Sequence, residues 1–277
     1  MPLPKTEKEE TRFEFGRNWR RFLNHLNNER ISEAQKSLSG MLEVSDLSGK
    51  SFLDIGSGSG LFSLAARRLG AKVHSFDYDP LSVACTQEVR RRYFPNDPDW
   101  RVEQGSALDG EYIRALGTYD VVYSWGVLHH TGKMWSGLEN AAMSVRDGGI
   151  LFIAIYNDQG WISRYWSWVK KTYNANGVSK VAVTAVHMPY LFGARWLVRL
   201  LTNRLKIERG MTLWYDMIDW LGGYPFEVAT REQIVDFYTA RDFELIGEQL
   251  CGRRHGCNEY VFRKLQKTAS KSTSEVS

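Results

Sequence analysis

The sequence predicts an α/β protein built on a mostly parallel sheet of seven strands that ends in an antiparallel hairpin. Three observations carry this. Short apolar runs alternate with helical patterns between residues 51 and 156, and the first run breaks into a glycine-rich turn. The chain then closes with a capped helix followed by two strand-like runs.

Taken in order, Phe15, Trp19, Phe22, Leu23 and Leu26 recur at spacings of three and four, which predicts an amphipathic helix packed on a larger body. It reads as part of an N-terminal helical lid over residues 1–50. Ser51 to Ile55 is the first strand, Leu61 to Leu69 a helix stopped by Gly70, and Lys72 to Phe76 the second strand. Pro80 suits the first turn of a helix running through Tyr93. Trp100 to Gln104 and Tyr119 to Ser124 are further strands. Met134 to Val145 predicts a helix, halted by Asp147, Gly148 and Gly149, before a fifth strand from Ile150 to Tyr156.

The rhythm then breaks. Residues 157–228 read as a cap insertion, with a Trp-rich helix (Trp161, Trp166, Trp168), an amphipathic stretch to Leu205 and an aromatic segment from Trp214 to Phe226. Thr230 and Gln233 form a capping-box pattern opening a helix to about Ala240, and Phe243 to Leu250 and Asn258 to Leu265 complete the sheet within residues 229–266. Residues 267–277 read as a disordered tail.

Composition limits the function classes. An apolar share of 43% and a charged share of 25% are those of a globular chain, and the net charge of +4 is gathered largely at Arg263, Lys264, Lys267 and Lys271 near the end. Nucleic-acid binding would call for a broad basic face. Three cysteines are too few for a disulfide framework and fit a reducing cytoplasm. Met1 to Glu10 lacks the apolar core of a signal peptide. Val181 to Leu201 carries Pro189, Arg195 and Arg199, so it does not read as a spanning helix.

The run Asp54-Ile55-Gly56-Ser57-Gly58-Ser59-Gly60 decides the ligand class. A dinucleotide turn spaces its glycines G-x-G-x-x-G, but Leu61 stands where that third glycine belongs. Asp54 before the turn would repel a phosphate and suits an ammonium. Asp77, at the end of the second strand and roughly 20 residues on, is placed to accept from ribose hydroxyls.

These residues resemble the first motifs of class I S-adenosylmethionine-dependent methyltransferases, whose fold is Rossmann-like. The resemblance covers residues 51–156, and the chain also resembles ubiquinone-biosynthesis-type small-molecule O-methyltransferases. It implies S-adenosyl-L-methionine as cofactor, held by Asp54, Gly56, Ser57, Gly58 and Gly60, by Asp77 and Tyr78 at the ribose and adenine, and by Ser106 or Ala107 at the adenine edge. The loop after the fourth strand, from Tyr119 through Trp125 to His130, resembles the same family, and Trp125 is counted with the cofactor residues.

Methyl transfer is an in-line displacement, so alignment and dryness matter most, and a base is needed only for a protonated nucleophile. His129 and His130 lie just past the fourth strand, with His130 the favoured base and at least one of the pair expected to pack. The related enzymes carry Glu-His here, and His129 in place of the acid argues against a metal. Cys251, His255 and Cys257 lack a fourth ligand and read as a turn. No Asp/Asn-Pro-Pro-Tyr follows the fourth strand, which argues against amino methylation of DNA.

Tyr156, Asp158, Trp161, Arg164, Tyr215 and Tyr224 are the candidate acceptor residues, with Asp216, Asp219 and Trp220 nearby. Val181 to Arg204 reads either as a helix roofing the pocket or as one lying at a membrane surface. The acceptor expected is a phenol, quinone precursor, sugar or glycan unit, free or lipid-linked. Methylation of nitrogen, carbon or RNA, and a catalytically inactive cofactor-binding protein, stand as the other readings.

Overall fold

The computed structural model describes residues 16–194, 217, 220–252 and 256–266. Its seven-stranded sheet runs in the order β3-β2-β1-β4-β5-β7-β6. The strands are β1 (Ser51–Ile55), β2 (Lys72–Asp77), β3 (Trp100–Gln104), β4 (Tyr119–Trp125), β5 (Val145–Tyr156), β6 (Phe243–Gln249) and β7 (Cys257–Lys264). Strands β1 to β5 are parallel, while β7 lies antiparallel between β5 and β6. The predicted fold class is the observed one.

The order reverses direction between β1 and β4. In open α/β sheets the crevice outside the carboxyl ends of the strands at such a switch point is where ligands bind. The glycine turn follows β1 and the two histidines follow β4, so topology alone brings them together.

Alternation along the strands divides the core into two faces. Phe52, Val73, Tyr123, Phe152 and Val261 meet α2 (Asn28–Leu42) and α3 (Leu61–Arg68). Leu53, Ile55, Val122, Leu151 and Ile153 meet α6 (Met134–Met143), and Tyr238 meets Leu138 of that helix from the C-terminal helix (Arg231–Thr239). A third core is separate: Trp166, Val169 and Tyr173 from α7 (Trp161–Tyr173), Val183 from α8 (Gly177–Met188), with Leu191, Met217 and Leu221. It belongs to the segment after β5.

Several elements depart from expectation. The N-terminal helix is short, α1 (Gly16–Phe22) with a 3-10 turn over Leu23–His25, and α2 follows it. The Asn27 side chain accepts from the Arg30 amide to start α2, whose Ile31, Ala34, Leu38 and Leu42 are buried. The Asp109 side chain likewise caps α5 (Gly110–Leu116) between β3 and β4. Strand β5 begins at Val145, earlier than Ile150, because Val145 pairs with Tyr119 and an irregularity after that pair accommodates the polar residues. The capping box is present in full: the Gln233 amide donates to Thr230 Oγ1, and the Thr230 amide donates to Gln233 Oε1.

Candidate active site

The glycine turn is built from its own backbone. The Gly56 and Ser57 amides both donate to the Phe76 carbonyl, the Gly58 amide to Asp77 Oδ2 at 2.9 Å, and the Gly60 amide to the Ser57 carbonyl. Amides spent in this way are not offered to a diphosphate, in keeping with the altered glycine spacing. Glycine is required sterically as well. A Cβ on Gly56 would lie 2.5 Å from Val127, and one on Gly60, whose φ is +78°, would lie 2.9 Å from the Thr86 Cα. The Val127 contact joins the turn after β1 to the loop after β4.

Asp77 holds this corner together, accepting from the Gly58 amide and, through Oδ1, from the Asp79 amide. A carboxylate has about four lone-pair sites, so further donors can be served. Tyr78 beside it is 42% exposed. Ser106 turns the chain after β3 by accepting from the Leu108 amide, while Ala107 is buried with its carbonyl taken by Asn140 Nδ2. Ala107 thus lies beneath this loop.

Asp54 differs from expectation. It shares the sheet face of Phe52 under α3, is 2% exposed, and accepts from Ser63 Oγ at 2.5 Å. Ser63 Oγ contacts Ser75 Oγ, which accepts from Trp100 Nε1. Burial first of all pushes this carboxyl up to about 7. It is a buried group behind the turn, not a solvent-facing ligand. Trp125 also departs from expectation: its Nε1 donates to Glu259 Oε1 of β7, two strands away, so the indole is committed across the sheet.

One residue of this site escaped the sequence reading. The Trp19 indole sits on the turn, with Nε1 3.0 Å from where a Cβ on Gly58 would be. Helix α1 is anchored there by the Gly16 amide, which donates to Asp79 Oδ2 at the start of α4 (Pro80–Tyr93). The helical period exposed Trp19 as apolar but gave no hint of what it covers.

Across the crevice, Leu128–His130 forms a 3-10 turn. His129 is fully buried, with its ring centroid 4.0 Å from Tyr156, and its Nδ1 accepts from the Tyr156 amide at 3.3 Å. Among the described residues its Nε2 has no hydrogen-bond partner. Burial, then the neighbouring His130 and Lys170, holds its pKa well below the ordinary imidazole range. His129 is thus held neutral and weakly basic, packed against Tyr156. His130 is held differently, with Nδ1 2.7 Å from the Pro225 carbonyl. A carbonyl only accepts, so Nδ1 carries the proton and Nε2 is the basic nitrogen.

The segment supplying that carbonyl is tied to the same loop. The Glu227 amide donates to the His129 carbonyl, and the Glu227 carboxylate accepts from the Met134 amide at the start of α6. Burial raises the Glu227 pKa.

Beside the histidines lies a recess lined by Tyr156, Asn157, Gln159, Ser163, Trp166, Trp220, Phe226 and Gly256. Tyr156 is its hub, 5.0 Å from Phe226 and 5.7 Å from Trp220 by ring centroids. Behind it is the buried Lys170, whose Nζ donates to the Trp220 carbonyl and lies 4.2 Å from the Trp220 ring and 4.8 Å from that of Phe226. Lys170, Trp166 and Phe226 were not among the expected site residues. The i, i+4 placement of Trp166 and Lys170 on one helix face was legible, but their partners come from residues 220–226, far along the chain.

Two expected acceptor residues are corrected. Trp161 is 70% exposed and Arg164 is exposed, because both stand on the outer face of α7, away from the recess. Asp158 uses Oδ1 to accept from the Gly160 amide in the turn before α7. Tyr224 immediately precedes Pro225, on the strap that holds His130. Tyr215, with Asp216 and Asp219, lies outside the described residues, as do His255 and the part of residues 181–204 beyond 194. No group of three or more His, Cys, Asp or Glu suited to a metal occurs among the described residues.

Comparison with known proteins agrees with this geometry. Residues 53–151 match a methyltransferase domain family. A ubiquinone biosynthesis O-methyltransferase of Parvibaculum lavamentivorans is 34% identical over 112 residues, covering 38% of this chain and 40% of the relative. One from Escherichia coli is 28% identical over 170 residues, covering 60% and 66%. A tRNA U34 carboxymethyltransferase of Enterobacter is 36% identical over 112 residues, covering 40% and 33%. The chain thus spans at most about two thirds of these relatives' length. Among solved structures, magnesium protoporphyrin IX methyltransferase from Synechocystis, with bound S-adenosylmethionine, is similar at a TM-score of 0.55 and 13% identity, covering 95% of this chain and 100% of that one. An O-methyltransferase family protein from Burkholderia thailandensis gives 0.54 at 13% identity, over 86% and 58%. Such likeness speaks for the fold, and the domain match lies on the strands and loops that frame the crevice. The chain thus carries a methyltransferase domain over residues 53–151, in a fold shared with S-adenosylmethionine-dependent methyltransferases.

Proposed function

We propose that this chain methylates an oxygen of a small molecule, with a phenol, quinone precursor, sugar or glycan unit as acceptor, free or lipid-linked. One observation carries the reading: the Pro225 carbonyl fixes the proton of His130 on Nδ1, which turns Nε2 into a base at the carboxyl end of β4, beside an aromatic-walled recess.

The residues around the turn suit the family's cofactor. The Gly58 position admits no side chain under Trp19, and the buried Asp54 carboxyl is a group that a nearby cation would ionise. Gly56 to Gly60 would allow close backbone approach, Asp77 would accept from ribose hydroxyls, and Tyr78 and Ser106 would meet the adenine. S-adenosylmethionine bound there supplies an electrophilic methyl group on a sulfonium.

His130 takes the acceptor's hydroxyl proton at Nε2. Its imidazolium is stabilised by the Pro225 carbonyl, and the neutral His129 beneath holds the ring in place. Tyr156, Trp166, Trp220 and Phe226 form an aromatic wall beside His130 that excludes water. Residues 157–228 act as the cap that selects it. The test is turnover with phenolic and sugar acceptors: His130→Ala should lower it about 100-fold or more. A loss below about threefold would reassign His130 to packing.

A further inference from the structure

The outer face of α7 is unlike a solvated helix. Trp161, Tyr165 and Trp168 recur at i, i+4 and i+7 and are 70%, 42% and 61% exposed. Arg164 and Lys171 complete the same stripe, both exposed. Against α7 packs α8, joined to it by the Tyr165 hydroxyl, 2.8 Å from His187 Nε2. Its Val178, Val181 and Val186 are 82%, 71% and 72% exposed, and Ala182 and Ala185 lie exposed between them. Two adjoining helices thus turn large apolar side chains outward, while their inner faces bury Trp166, Val169, Tyr173 and Val183 in the cap's own core.

The charge on this face has one sign. The whole chain is nearly balanced, with 36 Lys and Arg against 32 Asp and Glu, yet no acid occurs between Asp158 and Glu208. The exposed charges on this face are Arg164 and Lys171, while Lys180 of α8 lies over the Tyr173 ring. Aromatic and aliphatic side chains interleaved with only basic ones match the requirements of a helix lying in the headgroup region of an anionic bilayer. At 13 and 12 residues the helices are too short to cross one. A second copy is a poorer occupant, since an isologous contact would set these cations against each other.

We propose that the outer face of α7 and α8 docks on the surface of an anionic lipid bilayer, with Trp161, Tyr165 and Trp168 at headgroup depth and Arg164 and Lys171 on the phosphates. The docking stands on this surface alone and needs neither methyl transfer nor an acceptor. The recess lined by Ser163 and Trp166 lies on the opposite face of the same helix.

The test is co-sedimentation of the full chain, without cofactor, with vesicles of phosphatidylcholine alone or mixed with phosphatidylglycerol. The mixed vesicles should retain the protein, added salt should weaken retention, and Trp161→Ser with Trp168→Ser should reduce it about tenfold. Arg164→Glu with Lys171→Glu should abolish the preference for phosphatidylglycerol and provides a second variant should the first misfold. Equal partition of wild type and both variants overturns the proposal, as does absence of binding to the mixed vesicles. Concentration-dependent dimerisation in sedimentation velocity, lost in the Trp variant, would overturn it in favour of a second copy. Failure of the function reading would show instead as absent turnover while vesicle binding persists.

Discussion

The two sides of the crevice are built in opposite ways. The glycine turn is fixed by backbone: four of its amides are satisfied within the turn or by β2, and two of its glycines sit where a Cβ would strike Val127 or Thr86. The side proposed for the acceptor is fixed by side chains: Tyr156, Trp166, Trp220 and Phe226 pack around Lys170, and a strap ending in Pro225 holds His130. Backbone-built sites tolerate little variation in sequence, whereas side-chain walls can be recut without moving the strands. The glycine turn is therefore the less mutable side of the crevice, and the aromatic wall the more mutable one.

The largest effect should separate the two halves cleanly. His130→Ala is expected to lower kcat about 100-fold or more while leaving affinity for S-adenosylhomocysteine within about threefold. Parallel loss of both in single-turnover kinetics and titration would mean that the halves are one unit.

Next in size is Gly60→Ala. A left-handed φ costs an alanine about 1–2 kcal/mol, and its Cβ would meet Thr86 at 2.9 Å. Cofactor affinity should fall at least about tenfold, with a lower melting temperature by calorimetry. Unchanged affinity would break the claim that backbone builds this side.

A third prediction concerns pH. Asp54 titrates at about 7, above its ordinary 3.8, so it contributes stability that is present at low pH and lost as pH rises through about 7. A ligand ammonium favours the ionised carboxylate, so binding of S-adenosylhomocysteine should release a proton and tighten as pH rises from about 6 to 8. Asp54→Asn should flatten that slope in titrations at several pH values. A slope kept in the variant would assign the proton elsewhere.

The smallest effect is expected at the corrected position. Trp161→Ser should change neither melting temperature nor turnover of a soluble acceptor beyond about twofold, because the side chain is 70% exposed. A large fall in turnover would return Trp161 to the acceptor site.

Legibility in the sequence followed the same division. Strands β1 to β4, the glycine turn and Asp77 could be read directly, because period, glycine spacing and strand-end acids are local signals. Helix α2 has an equally local signal in Asn27 and its buried heptad-like residues, and its omission was a failure of reading, not of information. Trp161 was misassigned because a Trp-rich helix shows its period but not which face turns inward. The core meets Trp166 and Tyr173 instead, and that choice is made by Leu221 and Met217, distant in sequence. Nothing local could reveal Trp19 on Gly58, the Pro225 carbonyl on His130 or Lys170 against Trp220. Each is a contact across at least 39 positions, closed only by the fold.

The central claim is that the turn between β1 and α3, with Asp77 and Trp19, is a complete cofactor site whatever the acceptor. Calorimetric titration of the wild-type chain with S-adenosylhomocysteine, with no acceptor present, tests it most directly. Saturable binding at one site in the micromolar range is the predicted result. No heat of binding at millimolar ligand would contradict it.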